Sequence, residues 1–228
     1  MTVVPALPRN WFSCGRILLH KKIRASHGTP LRARALKPED MSGQEDQVTQ
    51  GSMRWLLFAA TRDMHDRLDS LAGPLSDLVG YRRYLAATLA FRQAIEPALR
   101  RADGWQVQDL VEELRCDADD LQAAVLSPPH TPPFETPSQI AGALYVAEGS
   151  ALGARVVQRR AQALGLTDRH GARHLSAQTA EKDRWPHFLT WLESGHVVPD
   201  EAMDGARRAF SLALSAYDLA DADRRVVA

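Results

Sequence analysis

The sequence predicts an all-α fold built as a single domain, on three observations. From Trp55 onward, apolar residues recur at spacings of three and four. No segment alternates in the two-residue rhythm of a strand. The breaks between periodic segments carry proline, glycine or capping residues. A chain of 228 residues is long enough for one substantial core, and 45% hydrophobic residues is the share of an ordinary globular protein.

The elements follow in order. Leu57, Thr61, Met64, Leu68 and Leu71 share one face of a first helix that Gly73-Pro74 ends. Tyr81, Tyr84, Leu85, Thr88, Phe91, Ile95 and Leu99 line a second, with a bend or restart expected at Pro97. Leu110, Leu114, Ala118 and Leu121 mark a third. "SPPHTPPFETPS" follows, with five prolines in twelve residues, and reads as an ordered surface connection. Thr136 then reads as an N-cap with Pro137 at the first helical position, opening a long helix to about Leu164 that Gly165 stops. Trp185, Phe188, Leu189 and Leu192 indicate a short helix. Ala202, Ala206, Ala209, Phe210, Ala213 and Tyr217 make the last one. The folded domain is expected over 51–222, with a short tail at 223–228.

Residues 1–50 are set apart by composition. Up to Lys37 there are eight Lys or Arg residues and no acid, broken by Pro5, Pro8, Gly28 and Pro30. The stretch reads as a disordered or mis-started tail, with an organelle transit sequence as the functional alternative. Over the whole chain, 28 basic residues balance 28 acidic ones, so charge points to neither nucleic acid nor an anionic membrane. Cys14 and Cys116 form no CxxC pair or disulfide framework. No apolar run stands out as a membrane span, and a cytoplasmic location is expected.

Most of the eight histidines offer little chemistry. His20 and His27 lie in the tail, and His130 is in the proline segment. His170 and His174 fall in "TDRHGARHLS", where Gly171 argues against a helix that could hold both on one metal. His65 differs, because it sits mid-helix on the edge of the apolar face, one turn after Thr61. It is either a core-edge histidine with a satisfied hydrogen bond or a single axial ligand to an iron.

The long helix contains "LYVAEGSALGARVV", with Gly149 and Gly153 four apart and Gly142 seven before Gly149. Each glycine costs a helix interior about 1 kcal/mol relative to alanine. Either another helix packs so closely that side chains are excluded, or a flat ligand lies on this face. Walker, GxGxxG, nucleophile-elbow and paired Glu-x-x-His signatures do not occur.

Together these segments resemble the bacterial haem oxygenases, particularly those associated with bacteriophytochromes. The pieces that carry the resemblance are "ATRDMH", "ALYVAEGSALGARVV", "RWPHFLTWLE" and "ARRAF", and it spans about Leu56 to Tyr217. It implies a haem-oxygenase-like helical bundle that sandwiches haem b between a proximal and a distal helix, the haem being both cofactor and substrate. His65 falls on the proximal iron ligand. Thr61, Arg62, Tyr145 and Arg184 join Gly149 and Gly153 as residues expected against the haem. Gly149, Ser150 and Gly153 form the expected catalytic stretch over its open face. A neutral histidine lacks the electron push of a thiolate, which suits oxygen attack on a meso carbon of the ring.

Two positions depart from the family pattern. Phe58 stands seven before His65, where a basic residue commonly meets a haem propionate; Arg62, Lys182 or Arg184 are the candidates to replace it. Ser150 stands where the animal enzymes place an aspartate, and a hydroxyl still orders water without acting as a base. Implied partners are an electron donor such as a ferredoxin or a flavin reductase and, for the product, a bacteriophytochrome. The expected activity is ring opening to biliverdin, carbon monoxide and ferrous iron. Phe58 keeps open the alternative of an inactive haem carrier or sensor on the same scaffold.

Overall fold

Helix packing in this chain is organised by two glycines that let two backbones touch. The computed structural model describes residues 51–131, 133–194 and 196–227, and seven α-helices order them. The basic segment up to residue 50 lies outside the described residues. The helices are α1 (Met53–Ala72), α2 (Leu78–Leu99), α3 (Val111–Leu121), α4 (Pro137–Ala163), α5 (Arg173–Thr179), α6 (Arg184–Leu192) and α7 (Pro199–Val227). Among the described residues no strand forms; Thr167 makes only isolated bridges to His170 and Gly171.

Local chemistry explains most boundaries. Ser52 caps α1 by accepting from the Trp55 amide, and Gly73 at φ 71° ends it. Asp77 caps α2 through the Gly80 amide, and the helix runs on without restarting because Pro97 falls in its last turn. Thr136 and Gln139 complete a capping box at the start of α4, with Pro137 in the first turn. Helix α7 continues to Val227, past the expected boundary at 222. α5 is a helix that periodicity alone does not show: Gly171, at φ 75°, breaks the chain after His170, and the helix starts immediately afterwards with His174 fully buried inside it.

α4 and α7 form the central pair. A Cβ on Gly142 would lie 1.8 Å from the Ala202 carbonyl oxygen, and one on Gly205 would lie 2.0 Å from the Gln139 carbonyl oxygen. Only hydrogen fits at either position. Polar bonds clasp the crossing: Ser138 Oγ accepts from the Val198 amide at 2.9 Å, Gln139 donates to Asp204 at 2.9 Å, and Thr136 donates to Glu201 at 2.7 Å. α4 is the one described helix long and apolar enough to cross a membrane, and most of it is buried in the bundle. α1 lies along the other side of α7, running in the same direction, with Arg207 donating to the Ala60 carbonyl and Arg67 paired with Asp218. α1 and α4 share almost no direct contact with each other.

The glycines can therefore be told apart by experiment. Gly142→Ala should cost at least about 1 kcal/mol in urea denaturation, because overpacking outweighs the gain in helix propensity. Gly149→Ala should be neutral or stabilising by up to about 1 kcal/mol, since its Cβ would meet only the Trp185 ring at 3.5 Å. Equal effects at both positions would contradict the crossing.

Candidate haem site

Beyond the crossing the helices diverge, and a cavity opens between α1, α2, α4 and α7. Its empty space, open solvent at the mouth included, is about 750 Å³. The walls are mainly apolar: Leu68 and Ala72 from α1, Phe91 from α2, Val146 and Val157 from α4, Phe210 from α7. Polar atoms gather on one side, where Tyr84, Thr88, Arg92, Ser150 and Gln178 reach it.

The α4 residues expected at the site divide. Ser150, Gly153 and Ala154 line the cavity. Gly149 faces the Trp185 ring, and Tyr145, buried one turn earlier, packs on the same ring at 5.7 Å. Gly142, which helical spacing puts on the same side, belongs to the α7 crossing and not to the cavity. The Ser150 hydroxyl donates to the Ala147 carbonyl at 2.6 Å and accepts from Gln178 Nε2 at 2.7 Å, so its orientation is set from α5.

On α1, His65 is half-buried and its Nδ1 lies 3.0 Å from the Thr61 carbonyl. That contact places the proton of the neutral ring on Nδ1 and the lone pair on Nε2, the arrangement a metal takes. Thr61 is fully buried and donates its own hydroxyl proton to the Leu57 carbonyl at 2.7 Å. Burial holds the His65 pKa below its usual value, so the ring is neutral at pH 7. The Phe210 ring packs on the imidazole at 4.3 Å between centroids and also lines the cavity, so Phe210 separates the two.

The expected propionate partners are placed less uniformly. Arg184 does not face the cavity; it forks onto buried Glu148 with bonds of 2.7 and 2.8 Å and donates to the Gln106 carbonyl. Trp105 bonds the same carboxylate at 2.9 Å, which makes Glu148 a structural anchor for the α4–α6 contact. The charge needs of that buried acid consume Arg184. Arg62 and Lys182 are exposed.

Sequence reasoning missed a buried polar array. His174 Nδ1 donates to Asp117 at 2.7 Å, and Tyr84 OH lies 3.2 Å from His174 Nε2. Asp117 also accepts from the amides of Arg173 and His174, each at 3.0 Å. Burial opposes the charge of Asp117, yet hydrogen bonds from His174 and Arg173 keep its pKa below the usual value. Burial lowers that of His174. The array ends at Tyr84 on the cavity wall. Nothing in the spacing of an aspartate in α3, a histidine after a turn and a tyrosine in an apolar stripe links the three.

The chain is an all-α bundle in which a histidine-bearing helix and a glycine-bearing helix stand on opposite sides of an apolar cavity. Heme oxygenase PigA of Pseudomonas aeruginosa is 30% identical over 166 residues, a match covering 66% of this chain and 84% of that protein. The solved NO- and CO-bound haem oxygenase of Neisseria meningitidis superposes with a TM-score of 0.62 at 25% identity, covering 74% of this chain and 94% of that one. No family model matches the sequence. The chain belongs to the bacterial haem oxygenase family.

The buried histidines give the fold an acid-sensitive component. Both pKa values are lowered on folding, so the unfolded chain takes up these protons first as pH falls. Their contribution is complete above about pH 6.5 and is lost below it, by up to about 1.4 kcal/mol per pH unit for each ring. Asp117 adds to the loss only near and below the ordinary carboxylate range, around pH 4. Urea midpoints at pH 7.5, 6 and 5 should fall for the native chain and fall less steeply for His174→Gln. Parallel slopes would show that His174 is not the titrating group.

Proposed function

We propose that this protein is a haem oxygenase that opens haem b to biliverdin, carbon monoxide and ferrous iron. The observation that carries the reading is the neutral, Thr61-oriented imidazole of His65 on one side of an apolar cavity whose other side is lined by Ser150 and Gly153 of α4. Haem supplies the iron at which dioxygen is reduced and is itself the substrate.

The residues present fit such a group. His65 Nε2 would hold the iron, and the Thr61 carbonyl fixes the ring and strengthens its donor character through Nδ1. Apolar side chains of α1, α2, α4 and α7, Phe210 among them, would enclose the flat ring. Gly153 brings bare main chain to the distal wall, and Gly149 leaves room beneath Trp185. Ser150, held by Gln178, offers a fixed hydroxyl that orders water and positions a proton, while Arg92 lends a buried positive charge to the same side. Tyr84, braced by His174 and Asp117, closes the polar side of the cavity.

Electrons come from a separate donor, a ferredoxin or a flavin reductase, since the sequence carries no flavin or nicotinamide motif. A bacteriophytochrome is the recipient of the product that the resemblance suggests, and a cytoplasmic setting suits both partners. An inactive carrier would need the same His65 site without turnover.

Titration with hemin decides between these. A one-to-one complex with a Soret band, followed by its decay and the rise of biliverdin absorbance and carbon monoxide once reductant and oxygen are supplied, is the expected outcome. A complex that only cycles between oxidation states would establish the carrier, and failure to bind would reject both. His65→Ala should abolish the histidine-ligated ferric spectrum, and Gly153→Val, on the cavity wall, should slow turnover at least about tenfold by obstructing the distal side.

A further inference from the structure

One ionised side chain reaches the cavity. Arg92 is the only charged residue among the described ones that line it, and it is almost wholly buried, at 4% exposure. A guanidinium taken out of water needs an opposite charge close by. Glu96, one turn further along α2 and fully buried, supplies it at 3.7 Å. Burial works against the charge of each, and each supports the other.

Glu96 is anchored from behind. Its Oε1 accepts from the Leu110 amide at 2.9 Å, and Arg100, a turn later, stands 3.7 Å from its Oε2. Arg100 is half-exposed and bonds Asp109 at 3.0 Å. Arg92, Glu96 and Arg100 therefore recur every four residues along one face of α2 and lead from the cavity wall to the surface. Arg92 lines the cavity and Glu96 does not, so the inner pair turns its positive end inward. The other ionisable groups near Arg92 are engaged elsewhere: Glu148 with Arg184, and His174 with Asp117 and Tyr84.

The guanidinium has bonding capacity to spare. A guanidinium carries five N–H donors. Among the described residues, the one hydrogen bond it makes runs from Nη2 to the Ala147 carbonyl at 3.5 Å, and its approach to Glu96 is an ion pair longer than a hydrogen bond. The Ser150 hydroxyl donates to that same carbonyl, so the cation and the hydroxyl stand side by side on the polar wall of the cavity. We propose that Arg92 is the charge by which the site selects small anionic ligands at the haem over neutral ones, with Glu96 as the positioning residue that sets its strength. The assignment rests on the haem-binding reading above and adds the class of small ligand preferred beside the iron. A fixed charge in an apolar wall acts on an anion more strongly than the same charge in water, whereas a neutral ligand gains little from it.

The test loads the full chain with hemin and titrates the ferric complex with fluoride, an anion, and with imidazole, a neutral ligand. The stretching frequency of carbon monoxide on the ferrous complex is read alongside by infrared spectroscopy; a nearby positive charge lowers it by favouring electron donation from the iron into the bound gas. Arg92→Met alone would strand a buried carboxylate, so the charge-free variant is Arg92→Met combined with Glu96→Gln. It should bind fluoride roughly tenfold more weakly than the native chain, bind imidazole as before and show a higher frequency. Arg92→Lys should keep the native behaviour, and Glu96→Gln alone should tighten fluoride binding and lower the frequency. Unchanged fluoride affinity and frequency in the double variant, or equal losses for both ligands, would remove Arg92 from this role, and no response to Glu96→Gln would remove Glu96. A native chain that does not bind hemin overturns the haem reading itself, and that result appears before any variant is made.

Discussion

The contact on which the rest of the structure depends is the backbone crossing of α4 and α7 at Gly142 and Gly205. With a Cβ excluded from both sides, the two helices meet main chain to main chain, and the polar clasp from Thr136, Ser138 and Gln139 fixes the angle at which they part. The cavity is the wedge that this divergence leaves. α7 also carries α1, through Arg207 on the Ala60 carbonyl and the packing of Phe210 on His65. One helix therefore sets the positions of both walls. The walls need not touch each other, which a slot for a flat ligand requires.

This arrangement accounts for the unequal demands on the glycines of α4. Gly142 is required by helix packing, Gly153 shapes the cavity wall, and Gly149 leaves room that Trp185 overlooks. A single helical face thus serves a structural contact at its start and a ligand surface further along. The combined cost of about 3 kcal/mol in helix propensity is offset by burial along the α4–α7 interface.

The fold was legible because periodicity reports burial. Leu57, Leu114, Leu121, Ala202 and Phe210 occur at helical spacings and are all buried. α5 was not legible, since seven residues are too few for a periodic signal and Gly171 masks its start. The site was half legible. His65, Ser150 and the glycines could be named from their motif. Phe210, Tyr84 and Gln178 could not, because spacing shows that a residue is inside without showing whether it meets another side chain or an empty volume. Charge is harder still: Arg184 and Arg62 look alike in sequence, and only the placement of Glu148 shows that Arg184 is consumed.

The same constraint explains how the helices keep an apolar slot between them. Closing the gap would require α1 to move onto α4, yet both are fastened to α7, and the α4 contact is a backbone contact with no side chain to yield. Side chains adapt where the helices cannot. Phe210 lies over the imidazole and forms part of the cavity wall, so it shields His65 from water and removes apolar surface that the slot would otherwise expose. Rotating one aromatic side chain costs far less than separating a packed helix pair. Phe210 thus occupies part of the space while the helices hold the slot's shape.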